Sequence, residues 1–124
     1  MKFNGIIIAA AIALAGCSET AVQQMSRDTF KVDTRTDFDC GATETRNIAF
    51  RVAAVEVIQR GGDKFIIVGD ETDTDFWLGT RTQGLVVRMI PENAPEARNA
   101  LSARAALGPN WQEVVGQGTP DICI

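Results

Sequence analysis

Thr43-Glu44-Thr45-Arg46-Asn47-Ile48-Ala49-Phe50-Arg51-Val52-Ala53-Ala54-Val55-Glu56-Val57-Ile58-Gln59-Arg60, followed by Gly61-Gly62, is the stretch on which the fold turns. Its apolar residues do not keep to one clean stripe, so a strand over Ile48 to Val57 is an open alternative. Length, the alanines at 49, 53 and 54, and the Glu, Gln and Arg content favour a helix from Thr43 to Arg60, with Gly61-Gly62 as its stop. A helix apolar on most sides must be well covered by the rest of its domain.

Working outward, Phe30 and Val32 alternate with Lys31 and Asp33, which predicts a strand from Thr29 to Thr36. A polar turn through Asp37 and Asp39 leads from it to Cys40-Gly41. After the helix, Lys64-Phe65-Ile66-Ile67-Val68 reads as a buried strand within Asp63 to Asp70. Glu71 to Gly84 is polar and turn-rich around Phe76-Trp77-Leu78, either a hairpin arm or an irregular loop. Leu85 to Ile90 reads as the next strand, closed by Pro91. A second helix is expected from Pro95 to Leu107, with Asn93 as candidate cap and Gly108-Pro109 at its end. Pro109 then opens a turn carrying Trp111, Val114 and Val115. The order strand–helix–strand–strand–helix describes a small α+β domain in two layers, helices on a short sheet.

The N-terminus has a different character. Lys2 precedes an uncharged, mostly apolar run from Gly5 to Gly16, too short for the roughly 20 residues that a bilayer-spanning helix needs. Leu14-Ala15-Gly16 leads directly into Cys17, as a cleavage site requires. Residues 1–18 resemble a bacterial lipoprotein signal peptide, with Leu14, Ala15 and Gly16 as the lipobox and Cys17 as the site of lipid attachment. An ordinary secretory signal with an incidental Cys17, and an uncleaved anchor, are the competing readings. The resemblance implies cleavage after Gly16, a diacylglycerol on the Cys17 sulfur and acylation of the new amino terminus. Two chains make anchoring durable, at about 0.8 kcal/mol per buried CH₂. Ser18 stands where an aspartate would favour inner-membrane retention, so the periplasmic face of the outer membrane is the expected address.

On this reading residues 1–16 are leader, 17–27 a lipidated tether and 28–124 one small periplasm-facing domain. Ser18 to Arg27 is polar and small, and ten flexible residues reach roughly 17–19 Å. Lys2 leaves with the leader, so eleven basic side chains face sixteen acidic ones, a net charge of −5. That balance lacks the footprint of a nucleic-acid binder and any basic cluster for anionic lipid. Once Cys17 is assigned to lipid, Cys40 and Cys123 remain, and two cysteines in an oxidising compartment most simply form one disulfide. The loop of about 84 residues would give roughly 4.6 kcal/mol on the chain-entropy model. A reactive Cys40 thiol at a helix N-terminus is the functional alternative.

The run Ala53 to Ile67, with its Ala-Ala helix, Arg60-Gly61, Asp63-x-Phe65 and Ile-rich strand, is similar to a segment of small alphaproteobacterial lipoproteins. Ala103 to Trp111 and the late Cys123 resemble the C-terminal part of the same proteins. The resemblance implies an envelope location and brings no activity or cofactor with it.

Histidine and tyrosine are absent, which excludes Ser-His-Asp and Cys-His hydrolases and histidine zinc sites. No cofactor and no metal are expected. Asp70-Glu71-Thr72-Asp73-Thr74-Asp75 offers alternating carboxylates that suit a hard cation, with Asp70, Asp73 and Asp75 as weak candidates. The run lacks the glycine and distal glutamate of an EF-hand, and a solvated acidic turn is the plainer reading. Glu56 and Arg88 are charges in apolar surroundings that could hold a ligand, pair with each other, or reach solvent. Trp77 could line a recognition surface, since Trp is enriched at binding hot spots, or pack in the core.

The sequence therefore points to a non-enzymatic, lipid-anchored accessory domain that touches another envelope protein. A small-ligand, cation or cell-wall binder is the alternative. A flat apolar patch around Phe76-Trp77-Leu78 would favour the first, and a deep pocket joining Glu56 to Arg88 the second.

Overall fold

A computed structural model describes residues 18–37 and 40–118. The lipobox, Cys17 and Cys123 lie outside the described residues. The elements run β1 (Ser18–Gln24), β2 (Thr29–Asp37), α1 (Ala42–Gln59), β3 (Lys64–Asp75), β4 (Thr80–Met89), a 3-10 turn (Pro95–Asn99), β5 (Leu101–Ser102), α2 (Ala103–Leu107) and α3 (Trp111–Gln117). All strand pairs are antiparallel and the order across the sheet is β1-β2-β4-β3-β5. Helices cover one face, so the domain is α+β with two layers.

The alternation read in β2 puts Phe30 and Val32 inward, and the same parity carries Thr34 and Thr36 inward behind them. In β4, Leu85 and Val87 are buried and Arg88 turns to the opposite face. α1 lies across β2 and β4, with α2 beside it. Ala49, Ala53 and Ala54 are fully buried, and such small side chains let the helix approach its neighbours closely. Ile48, Val52, Val57, Phe65 and Ala103 complete the apolar core. The glycine stop works as expected: Gly62 N–H donates to Val57 O and Gly61 N–H to Ile58 O, with Gly61 at φ 88°. That pair of bonds is the Schellman closure, which glycine's freedom at positive φ permits.

Three expectations change. Residues 18–24 are not a free tether but an edge strand, paired residue by residue with β2 from Ser18↔Thr36 to Gln24↔Phe30. Their alternation is faint because an edge strand takes its stability from main-chain pairing, which polar residues supply as well as apolar ones. Asp70 to Asp75 is strand and not a solvated acidic turn, and of the two readings of Glu71 to Gly84 the hairpin arm holds. β3 and β4 run on as a long hairpin to the pair Asp75↔Thr80, past a bulge between Ile67 and Gly69. The single helix over Pro95 to Leu107 is broken, because Leu101-Ser102 pairs with Phe65-Lys64. The Asp63 carboxylate accepts from Ser102 Oγ (2.9 and 3.0 Å) and Arg104 N–H (3.0 Å), and Ser102 Oγ caps α2 through Ala105 N–H. The expected cap Asn93 lies ahead of the 3-10 turn, whose N-cap is Ala94.

Candidate functional site

The sheet has two distinct ends. At one end Ser18, Thr36, Arg81 and Thr74 form a row across four strands, and the hairpin projects beyond it. The hairpin tip is Phe76-Trp77-Leu78-Gly79. Asp75 Oδ1 accepts from both Trp77 N–H (3.0 Å) and Leu78 N–H (3.1 Å), and Gly79 closes the turn at φ 67°. The Trp77 and Leu78 amides are thus satisfied from within, and the three apolar side chains of the tip are exposed. Trp77 is 97% exposed, Phe76 79% and Leu78 66%. The tip is a protrusion rather than a flat patch.

The inner layer near this end is polar. Thr45 Oγ donates to Gly41 O (2.9 Å) and shares a 2.8 Å bond with Thr36 Oγ. Gln83, buried in β4, donates to Asp70 Oδ1 (2.6 Å) and accepts from Thr72 Oγ (2.8 Å). Asp70 also pairs with Arg46 of α1. Arg81 Nε donates to Cys40 O (3.2 Å), which ties buried Cys40 to the hairpin. Sequence reading did not single out Thr45 or Gln83, although continuing the inward parity of β4 from Leu85 and Val87 reaches Gln83.

At the opposite end an open cleft of about 500 Å³ lies among Arg27, Asp28, Arg60, Gly61, Gly62, Asp63, Met89 to Glu92, and Arg104. Its arginines are largely matched by carboxylates. Arg60 donates from Nε to Glu56 (3.0 Å), bonds Gln24 Oε1 and covers the Phe30 ring at 4.6 Å. Arg104 approaches Asp63 (3.8 Å) and lies over Trp111 at 5.2 Å. Hydrogen bonds from Thr29 and Ser26 hold the Asp28 carboxyl below its ordinary range.

A groove of about 520 Å³ separates α1 from β3, lined by Arg46, Asn47, Phe50, Ile67 to Asp70, Leu85 and Leu101. The bulged Val68 on its wall is 53% exposed. β5 pairs only with Lys64 and Phe65, so among the described residues the β3 edge from Ile66 onward carries no further strand.

The candidate residues do not come together. Glu56 sits on α1 paired with Arg60, whereas Arg88 is on the far face of the sheet, 3.7 Å from Glu96. Asp70 faces inward, Asp73 and Asp75 are spaced along the strand opposite Thr82 and Thr80, and Asp75 is engaged by the turn. Among the described residues no group of three or more His, Cys, Asp or Glu is placed to hold a metal ion, and no helix is long and apolar enough to cross a membrane. No protein family, curated protein or solved structure matches this chain.

Proposed function

We propose that this chain is a lipid-anchored envelope lipoprotein, acylated at Cys17, whose small α+β domain acts as a non-enzymatic accessory and binds another envelope protein. The observation that carries the reading is the position of β1. Ser18, the residue after the expected attachment cysteine, is already paired with Thr36, so no free tether separates the sheet from the proposed lipid. The groove between α1 and β3 supports a protein partner, because exposed Val68 and Leu101 stand beside a strand edge with main-chain groups to offer. Cys40, buried at the start of α1, is proposed to be joined to Cys123, holding the C-terminal segment to the domain.

Fractionation of cells making Cys17→Ser tests the anchor: the variant should leave the membrane fraction, and unchanged retention would contradict it. In the same cells a photo-crosslinker at Val68 should capture a protein that one at Lys31, on the far face of the sheet, does not. Mass spectrometry without reductant should find the Cys40 and Cys123 peptides joined.

A further inference from the structure

We infer that the Phe76-Trp77-Leu78 tip is a second membrane contact, seated in the headgroup region of the bilayer that holds the Cys17 lipid. The inference rests on the anchor reading and adds an orientation to it: the domain stands on the membrane with its hairpin end down.

Register supplies the argument. β1 runs away from the row Ser18–Thr36–Arg81–Thr74, so the chain preceding Ser18 enters at this end of the sheet. The hairpin tip leaves the same end, beyond Asp75↔Thr80. Cys17 is one peptide unit, about 3.8 Å, from Ser18. With Ser18 held in the sheet, no slack remains to lift the domain off the surface. The tip is two to three strand spacings from β1, about 10–14 Å. It projects past the row of Ser18 by one to three residues, on the order of 3–10 Å at about 3.4 Å each. Acyl chains of a bilayer begin within that distance of an attached cysteine.

Chemistry agrees with position. Trp and Phe settle at the membrane–water boundary, where an apolar ring meets a polar margin. A turn entering that zone should not carry bare amides, and Asp75 already accepts from Trp77 N–H and Leu78 N–H. The charges beside the tip are mixed: Asp37, Asp73 and Asp75 on the acidic side, Arg35 and Arg81 on the basic side. A surface of that balance fits zwitterionic headgroups, with insertion driven by the apolar rings rather than by attraction to anionic lipid. A protein partner is the competing occupant, but the groove and the cleft are the concave surfaces, and the tip is a protrusion beside the anchor.

Acylated protein purified from membranes and reconstituted into zwitterionic vesicles with brominated acyl chains gives the test. Trp111→Phe leaves Trp77 as the reporter, and Trp77→Phe leaves Trp111. The Trp111 ring lies under Arg104, near Asp63 at the other end, and serves as the internal control. Trp77 emission should shift to the blue and be quenched several-fold more strongly than that of Trp111. Hydrogen exchange of unsubstituted protein provides a reading independent of those variants: residues 76–79 should exchange more slowly on vesicles than in Cys17→Ser protein in solution. Acylated, vesicle-bound protein with Trp77 unquenched and 76–79 unprotected would overturn the inference and leave the anchor standing. Protection of Trp77 in native envelopes but not on protein-free vesicles would assign the tip to a protein partner, and also overturn it. Protein without acyl mass that fails to bind vesicles would overturn the anchor reading itself.

Discussion

Thr34 and Thr45 are both buried threonines of the inner layer, and their hydroxyls stand in opposite situations. Thr45 Oγ donates to Gly41 O, so in its bond with Thr36 it is the acceptor, and all three groups are satisfied. Thr34 Oγ has no hydrogen-bond partner among the described residues. An unsatisfied buried polar atom costs about 1–3 kcal/mol, whereas a satisfied one contributes about 1 kcal/mol net. Thr34→Val keeps shape and removes the orphan, so it should raise stability by about 1 kcal/mol. Thr45→Val strands the Thr36 hydroxyl and should lower stability by about 1–2 kcal/mol. Urea unfolding of the two variants checks the pair, and equal shifts in the same direction would contradict the bonding pattern.

Among the elements, α1 was the most legible, because eighteen residues with alanine spacing and a glycine stop leave few alternatives. The hairpin was plainest in its apolar half, where Lys64 to Val68 and Leu85 to Ile90 stand out; its polar half reads as either hairpin arm or loop, and Asp70 to Asp75 as a solvated turn, until pairing with β4 is known. β5 is two residues long and has no local signature. It exists because Asp63 organises the segment after it, accepting from Ser102 and Arg104 at once. Asp63→Ala should therefore detach β5 and α2 together and lower stability by about 2 kcal/mol, measurable by denaturant unfolding. A loss below a few tenths of that would mean that helix packing alone holds the segment. β1 was illegible for the opposite reason: its sequence suits either a tether or an edge strand, and only the partner β2 decides. The amides of 18–24 that face β2 should be protected from hydrogen exchange, and free-chain exchange throughout would return the segment to a tether.

For the whole molecule, the change at β1 matters most. A flexible ten-residue tether would let the domain wander roughly 17–19 Å from its membrane with any face outward. With Ser18 paired to Thr36, the proposed anchor at Cys17 would set which end is down, and so separate surfaces that sequence could not rank. In the proposed orientation the Trp77 tip would face the bilayer, the cleft around Arg27, Arg60 and Arg104 at the opposite end would face away, and the α1–β3 groove would lie along the flank. Glu56, Arg88 and the acidic run stood out by composition, but they serve local ion pairs and strand pairing rather than one shared site. The central claim is that the domain is held to its membrane through an acylated Cys17, next to the paired Ser18. It is tested most directly by the mass of the N-terminal tryptic peptide from protein extracted from membranes. The account predicts a peptide of residues 17–27 that starts at Cys17 and carries acyl chains, and an unmodified Cys17, or a chain that still begins at Met1, would contradict it.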